Sequence, residues 1–149
     1  MRAVVVLSLL ALAASQTSDA PNECACEIGT PNIDKEFTVL YSFSSIWEGS
    51  CDHKGEELCR RQCRDSSNAL EENGGWMVLA PEGDNMTIGD VACENLGRDE
   101  TLGIESQLYS SVCDLPYHEE GHGIRDLLCC EDGLQVECLG PITTLPPML

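Results

Sequence analysis

The chain is poor in aromatic residues and in basic ones. Phe, Tyr and Trp make up 5% of its 149 residues, so the apolar core of any domain it forms must be modest. Lysine and arginine number 8 against 26 aspartates and glutamates, giving a formal net charge of −18 at pH 7. Nucleic acids and anionic membranes bind proteins through a cationic face. The composition therefore predicts that neither is a partner.

Motifs of several enzyme and signalling classes are also missing. The sequence has no G-x-S-x-G turn, no glycine-rich phosphate loop and no stretch with the ligand spacing of a calcium loop. It has no C-x-x-C pair, which argues against a zinc cluster of cysteines. The C-x-G-x-C signature of cystine-knot growth factors is absent as well, which weakens a hormone role. These absences predict no catalytic residue, no metal and no cofactor.

A single long apolar run is present, at the N-terminus. Residues 3–14 include one polar residue, and a dozen residues suit a signal-peptide core but fall short of the ~20 that span a bilayer. Small residues before position 16 predict cleavage between Ser15 and Gln16. The proline-rich end, residues 140–149, is too short for a spanning helix or a lipid-anchor signal. The mature protein is predicted to be secreted and extracellular.

All ten cysteines follow the predicted cleavage site, and an even number in a secreted chain predicts a disulfide framework. They are Cys24, Cys26, Cys51, Cys59, Cys63, Cys93, Cys113, Cys129, Cys130 and Cys138. The sequence leaves their pairing open. Because adjacent strand residues point to opposite faces, Cys129 and Cys130 are expected to have different partners. We expect one of the two to reach Cys59 or Cys63.

Two helices are predicted from local signals. Residues 56–64 begin with acidic residues and continue with arginines, which matches the helix dipole, and Asn-Gly-Gly at 73–75 ends this helix. Cysteines four residues apart within it share its buried face. Thr87 and Asp90 form a capping-box pattern, which predicts a second helix that ends at Gly97.

A strand is predicted at 37–43, which is rich in β-branched and aromatic residues. A second strand is predicted at 76–80, a short apolar run before a turn. Residues 104–112 fit a strand or a helix, and we assign them to a helix. Asp-Gly between two apolar runs predicts a β-hairpin over 127–138 with a type I′ turn. The expected fold class is a small disulfide-rich α+β domain, with one or two short helices on a few short antiparallel strands and a C-terminal hairpin.

The chain is expected to contain one such domain, because no internal repeat or low-complexity tract divides it. The predicted parts are a signal peptide (1–15), a flexible leader (16–23), the disulfide-rich domain (24–139) and a Pro-rich C-terminal tail (140–149).

One catalytic motif is present. Residues 118–122, His-Glu-Glu-Gly-His, match H-E-x-x-H, in which a helix presents both imidazoles to zinc and the glutamate activates water. Pro116 and the glycines at 121 and 123 favour a loop over a helix, and no later histidine supplies a third ligand, for which Glu137 is the best placed acid. We therefore predict a solvated loop and no enzyme activity. A zinc hydrolase is an alternative that depends on this segment alone.

Two surface features concern processing. Asn85-Met86-Thr87 is an N-glycosylation sequon in a turn-rich stretch and predicts a glycan on Asn85. Arg60-Arg61 is a dibasic pair of the kind cleaved in prohormones, but its position on a predicted helix between two cysteines favours a charged helix face.

The cysteines and the residues beside them form a framework. Its elements are Cys24-Ala25-Cys26, Cys51, Cys59-x-x-x-Cys63-Arg64-Asp65, Cys93, Cys113-Asp114, Arg125, Cys129-Cys130-Glu131-Asp132-Gly133-Leu134 and Cys138. This framework resembles that of the arthropod follicle cell protein family, small secreted proteins named for the ovarian follicle cells that build the eggshell. Glu27 stands where the family usually has a glycine, and residues 76–89 differ, as in a divergent member or a paralogue. The resemblance implies no enzyme activity and no catalytic residues.

Together these features predict a secreted, acidic, disulfide-stabilised and non-enzymatic glycoprotein with a structural or interaction role in an eggshell or other extracellular matrix. Its partner is expected to be an extracellular protein or a receptor. A venom or salivary toxin is the alternative, since a bridged scaffold that displays variable loops serves that role equally well.

Overall fold

A computed structural model of the chain describes residues 23–32, 36–43, 45–46, 49–81, 85–113 and 115–139. Within them lie two helices, one turn of 3-10 helix and eight strands in two antiparallel sheets. The helices are α1 (His53–Glu72) and α2 (Ile88–Leu96), and the 3-10 turn is Gly75–Met77. The strands are β1 (Glu23–Pro31), β2 (Phe37–Ser42), β3 (Ser45–Ile46), β4 (Glu100–Ile104), β5 (Gln107–Val112), β6 (His118–His122), β7 (Leu128–Glu131) and β8 (Leu134–Val136). The predicted fold class is confirmed.

The larger sheet has the strand order β2-β1-β5-β6, with β3 also paired to β1, and the smaller sheet has the order β4-β7-β8. Strand β1 pairs with β5 from Cys24 opposite Val112 to Gly29 opposite Gln107. Because side chains alternate along a strand, Cys24 and Cys26 of β1 face α1, while Ala25 and Glu27 face away. The predicted strand at 37–43 is confirmed as β2.

Helix α1 begins at the N-cap Asp52, whose side chain accepts a hydrogen bond of 3.0 Å from the Gly55 N–H. The Ser50 hydroxyl also donates to this carboxylate, and these two hydrogen bonds hold the pKa of Asp52 below its usual value. The helix extends well beyond the predicted 56–64, but its predicted stop is confirmed, since Asn73 is its C-cap.

Five disulfides join the ten cysteines in the described residues, as predicted. They are Cys24–Cys59, Cys26–Cys63, Cys51–Cys113, Cys93–Cys130 and Cys129–Cys138. Cys129 and Cys130 have different partners, which confirms that expectation. The expected link from one of them to Cys59 or Cys63 is wrong, because α1 packs on the larger sheet whereas β7 lies in the smaller sheet against α2.

The predicted strand at 76–80 is wrong. Positive φ angles of 117° at Gly74 and 56° at Gly75 turn the chain sharply after α1, and a 3-10 turn follows. Trp76 is buried there and its indole N–H donates a 2.8 Å hydrogen bond to the Asp126 carbonyl. Met77 and Leu79 are exposed, so one buried aromatic side chain anchors a segment whose apolar composition suggested a strand.

The predicted helix at 104–112 is also wrong, since the segment contains the end of β4 and the whole of β5. Strand β5 lies between β1 and β6, and its buried residues include Ser110 and Ser111. Buried serines hide the periodicity on which a sequence-based assignment depends.

Helix α2 confirms the predicted capping box and the stop at Gly97, which has φ 67°. Burial raises the pKa of Asp90, but hydrogen bonds from Thr87 and from the Gln135 N–H outweigh it and keep the pKa below its usual value. The predicted C-terminal hairpin is confirmed as β7 and β8. Its turn residues Asp132 and Gly133 have φ of 52° and 78°, as a type I′ turn requires.

Neither helix in the described part of the chain is long and apolar enough to cross a membrane. The predicted signal peptide, the leader apart from Glu23, and the C-terminal tail lie outside the described residues.

Candidate functional site

The His-Glu-Glu-Gly-His segment forms the edge strand β6, so its prediction as a loop is wrong. A shift of register in its pairing with β5 places His118 opposite Ser110 and His122 opposite Gln107 and leaves Glu120 as the extra, bulged residue. The two imidazoles therefore lie four positions apart on a bulged strand, and not one turn apart on a helix, where a pair of zinc ligands of this motif would lie.

Glu120 has the most deeply buried charged side chain in β6. Its side chain is 0% exposed, although its backbone at the sheet edge is partly accessible. One carboxylate oxygen accepts hydrogen bonds of 2.7 Å from Arg60 Nε and from the Ser110 hydroxyl. The other oxygen accepts one of 2.8 Å from Arg64. This Glu120 cluster of Glu120, Arg60, Arg64 and Ser110 ties α1 to both β5 and β6.

The Glu120 cluster continues along α1, because residues four apart share a helix face. One turn before Arg60, the carboxylate of Glu56 lies 2.9 Å from His118 Nε2. Arg60 belongs to a charged helix face, as predicted from sequence, and Arg61 next to it is exposed and lies 3.9 Å from Glu57.

Metal-ligating side chains do not converge in this segment. Among the residues that the structure describes, one set of three ligand atoms lies within 4.8 Å of one another, the sulfurs of Cys24, Cys26 and Cys63. All three sulfurs are in disulfides and offer no thiolate.

A groove of about 480 Å³ lies on the face of the larger sheet opposite α1. We call it the outer groove. Residues of β1, the end of β2, β5 and the segment before β6 line it, among them Glu23, Glu27, Ser42, Ser111, Leu115 and Tyr117. The β1 residues of the groove alternate along the strand with Cys24 and Cys26. Because the side chains of the two cysteines point towards α1, those of Glu23 and Glu27 point to the opposite face.

An aromatic cluster borders the outer groove. The ring of Phe37 stacks on Tyr109 with centroids 3.8 Å apart and meets Tyr117 edge-on at 5.3 Å. Gly29 makes room for this stack, because a Cβ there would lie 2.5 Å from the Phe37 ring. Burial raises the pKa of Tyr109, and the nearby charge of Glu119 raises it further.

The outer groove and the Glu120 cluster were not predicted from the sequence. Both combine residues from elements that are distant in sequence, and the register that joins them is set by strand pairing. The one available signal was the C-x-C spacing at 24–26, which places residue 25 and residue 27 on the face opposite two buried cysteines.

A second groove, the apolar groove, has a volume of about 760 Å³ and lies between α1, β2 and the 3-10 turn. Tyr41, Phe43, Leu70, Met77, Val78 and Leu79 line it. Met77 and Leu79 are 67% and 63% exposed.

The sequon residue Asn85 is exposed and has a φ of 67°. Thr87, the third residue of the sequon, caps α2, since its hydroxyl accepts a hydrogen bond from the Asp90 N–H at 3.1 Å. The glycan on Asn85 remains a prediction. Thr87 is required both for the sequon and for the N-cap of α2, and the two roles can be tested separately.

We predict that Thr87→Ala abolishes glycosylation and lowers the free energy of unfolding by about 1 kcal/mol, the usual effect of losing a threonine N-cap. Asn85→Gln removes the glycan alone and leaves the cap in place. Mass spectrometry of the secreted variants and urea unfolding after enzymatic removal of glycans measure the two effects. Equal unfolding free energies for the deglycosylated Thr87→Ala and Asn85→Gln proteins would contradict the capping role.

The described residues thus provide two grooves and a buried charge cluster that holds a helix on a sheet. No family model, no curated protein and no solved structure matches the chain.

Proposed function

We propose that this chain is a secreted, non-enzymatic extracellular protein that acts by binding other components of an eggshell or another extracellular matrix. We further propose that it is a divergent relative of the follicle cell protein family. Its five disulfides fit an oxidising compartment, and the net charge of −18 fits a soluble component that associates with less acidic partners.

The observation that carries the non-enzymatic part is that the motif forms an edge strand and not a helix. In the H-E-x-x-H chemistry, both histidines and one glutamate must face a common metal and a water molecule. Here Glu120 binds two arginines and His118 contacts Glu56. Glu119, the glutamate that the motif would use as a base, pairs with Tyr109 on the other face of the sheet. Glu120 and His118 are thus engaged in holding α1 and β6 together.

The test uses the full chain expressed in a secreting insect cell. We expect the protein in the medium, with residues 1–15 removed and a mass gain of two hydrogens per bridge on reduction of its five bridges. A metal assay of the same sample is expected to show no stoichiometric zinc. Zinc that is lost in His118→Ala but kept in His53→Ala, the matched exposed histidine of α1, would overturn the non-enzymatic proposal.

The site of secretion separates the matrix role from its alternative. Antibodies against the secreted protein are expected to stain an extracellular covering, such as the eggshell. The protein itself is expected to be extracted from this covering under chaotropic conditions. Staining confined to the lumen of a venom or salivary gland would replace the matrix role with that of a secreted effector.

A further inference from the structure

The two faces of the larger sheet differ in how their carboxylates are partnered. On the face covered by α1, Glu120 is bound by two arginines. On the opposite face, strand register places Glu27, Tyr109 and Glu119 in one row across β1, β5 and β6. Within the described residues neither Glu27 nor Glu119 forms an ion pair. This row carries negative charge that no described neighbour neutralises.

The basic side chains that the structure describes lie away from this face. Of the six described lysines and arginines, four lie on α1 and two in connections beyond α2 and β6, namely Lys54, Arg60, Arg61, Arg64, Arg98 and Arg125. None of them lines the outer groove, whose walls include Glu23 and Glu27. Like charges that share a partly buried groove repel one another, and a cation that enters it relieves this repulsion.

The aromatic cluster supplies a second element of cation recognition. Tyr117 lines the outer groove with 41% of its surface exposed, and its ring meets Phe37 edge-on. A cation held over an aromatic face gains about 0.5–2 kcal/mol. Planar guanidinium groups stack on such rings and form paired hydrogen bonds with carboxylates, so carboxylates beside an exposed tyrosine favour arginine over lysine.

The same acids do not form a calcium site. Calcium requires six to eight converging oxygen ligands, and within the described residues no three carboxylate or imidazole ligand atoms converge within 4.8 Å. The volume of about 480 Å³ falls within the range of small-ligand sites and exceeds what one ion requires. A side chain of a polypeptide fits the groove better than an inorganic cation.

From these observations we propose that the outer groove binds an arginine side chain of a basic segment of a protein partner. Glu23 and Glu27, which line the groove and form no ion pair among the described residues, are the counter-charges, and Tyr117 is the stacking surface. The inference deepens the proposed function and rests on it, because it names the partner chemistry of a protein that acts by binding. Charge complementarity sets the occupant, since the outer groove lacks described cations in a chain of net charge −18.

The probe is the capped peptide Gly-Arg-Gly-Arg-Gly, titrated into the oxidised, secreted protein and followed by two-dimensional NMR. We expect shifts confined to signals of the outer groove, including those of Tyr117 and Ser111. The same peptide with citrulline in place of arginine keeps the shape and hydrogen bonding but loses the charge, and it is expected to cause no shifts. Tyr117→Leu is expected to weaken binding several-fold, in line with the loss of a cation–π contact.

Charge variants distinguish the outer groove from general attraction to an acidic protein. Glu23→Gln with Glu27→Gln removes both carboxylates that line the outer groove and is expected to weaken peptide binding at least about tenfold, as loss of close charge pairs does. The matched pair Glu94→Gln with Glu131→Gln removes the same charge from exposed positions on α2 and β7 and is expected to weaken it less than about twofold. Equal effects of the two pairs, or shifts spread over the whole surface, would overturn the proposal.

Two further outcomes are decisive. Calcium chloride that shifts the same signals and displaces the peptide would assign the groove to a metal ion and overturn the arginine site. No response to the peptide, in a protein that is secreted and fully oxidised without zinc, would overturn the groove assignment while the proposed function stands. A zinc-dependent activity would instead overturn the proposed function and not the groove.

Discussion

Glu120→Gln is expected to lower the free energy of unfolding by about 3 kcal/mol, the usual effect of breaking a buried ion pair from one side. Glutamine keeps the shape of the side chain, but its amide NH₂ replaces an oxygen that accepts a hydrogen bond from an arginine or from Ser110. A donor then faces a donor. The loss is expected at the low end of the buried-pair range, because Arg60 and Arg64 are 39% and 45% exposed and turn to water when unpaired.

Glu57→Gln is the matched control for this prediction. The carboxylate of Glu57 lies 3.9 Å from Arg61 on the same helix, and both side chains are more than 60% exposed. Such an exposed pair contributes only about 0.3–0.5 kcal/mol and is screened by salt. Urea unfolding of the oxidised proteins at low and high salt measures both variants. Losses of the same size would show that the carboxylate of Glu120 is not held as the structure describes.

Local signals in the sequence predicted those parts of the fold that depend on neighbouring residues. The capping box at Thr87 and Asp90, the Asn-Gly-Gly stop after α1 and the Asp-Gly turn of the hairpin each satisfy their own backbone groups within a few residues. Their structures follow from the residues that form them, and all three were confirmed.

Elements that depend on distant partners were missed. Strand β6 is rich in glutamate and glycine, a composition that does not favour a strand. It forms because it pairs with the edge of β5, and because two arginines of α1, 56 or more residues away in sequence, bind the carboxylate of Glu120. The same applies to β5, whose serines become core residues once β1 pairs with it. Strand pairing and burial of this kind leave no pattern within a local window.

The spacing of the cysteines contains a geometric signal for two of the disulfides. Residues four apart on a helix are about 6 Å apart along its axis, and residues two apart on a strand are separated by about 6.6 Å. The two spacings match, so Cys59 and Cys63 of α1 can bridge to Cys24 and Cys26 of β1 side by side, as they do.

These two bridges form a ladder between α1 and β1, with Sγ of Cys24 only 3.8 Å from Sγ of Cys63, and the ladder makes their contributions interdependent. The bridges span sequence separations of 35 and 37 residues. With one bridge intact, the other closes a path of only about six residues through it, and its loop entropy amounts to about 2 kcal/mol. With its neighbour already absent, the same bridge closes the full loop and contributes about 4 kcal/mol.

We therefore predict that Cys26→Ala with Cys63→Ala lowers the free energy of unfolding by about 2 kcal/mol, and that Cys24→Ala with Cys59→Ala does the same. All four substitutions together are expected to cost about 6 kcal/mol, more than the sum of the two, and comparable to the ~5–15 kcal/mol net stability of a typical domain. Guanidinium unfolding of the oxidised proteins, after peptide mapping has verified the remaining bridges, completes this double-mutant cycle.

The control for the ladder is the bridge Cys129–Cys138, which closes a separation of only 9 residues. Its removal is expected to cost about 3 kcal/mol and to add independently to the loss of either ladder bridge, because it lies in the other sheet. Additive losses for the two ladder bridges would contradict their coupling and show that α1 is held on the larger sheet by other contacts, among them the Glu120 cluster. If the loss of unfolding free energy exceeds the sum only for the two ladder bridges, the bridges act together in holding α1 on the larger sheet. The opposite face of that sheet carries the outer groove.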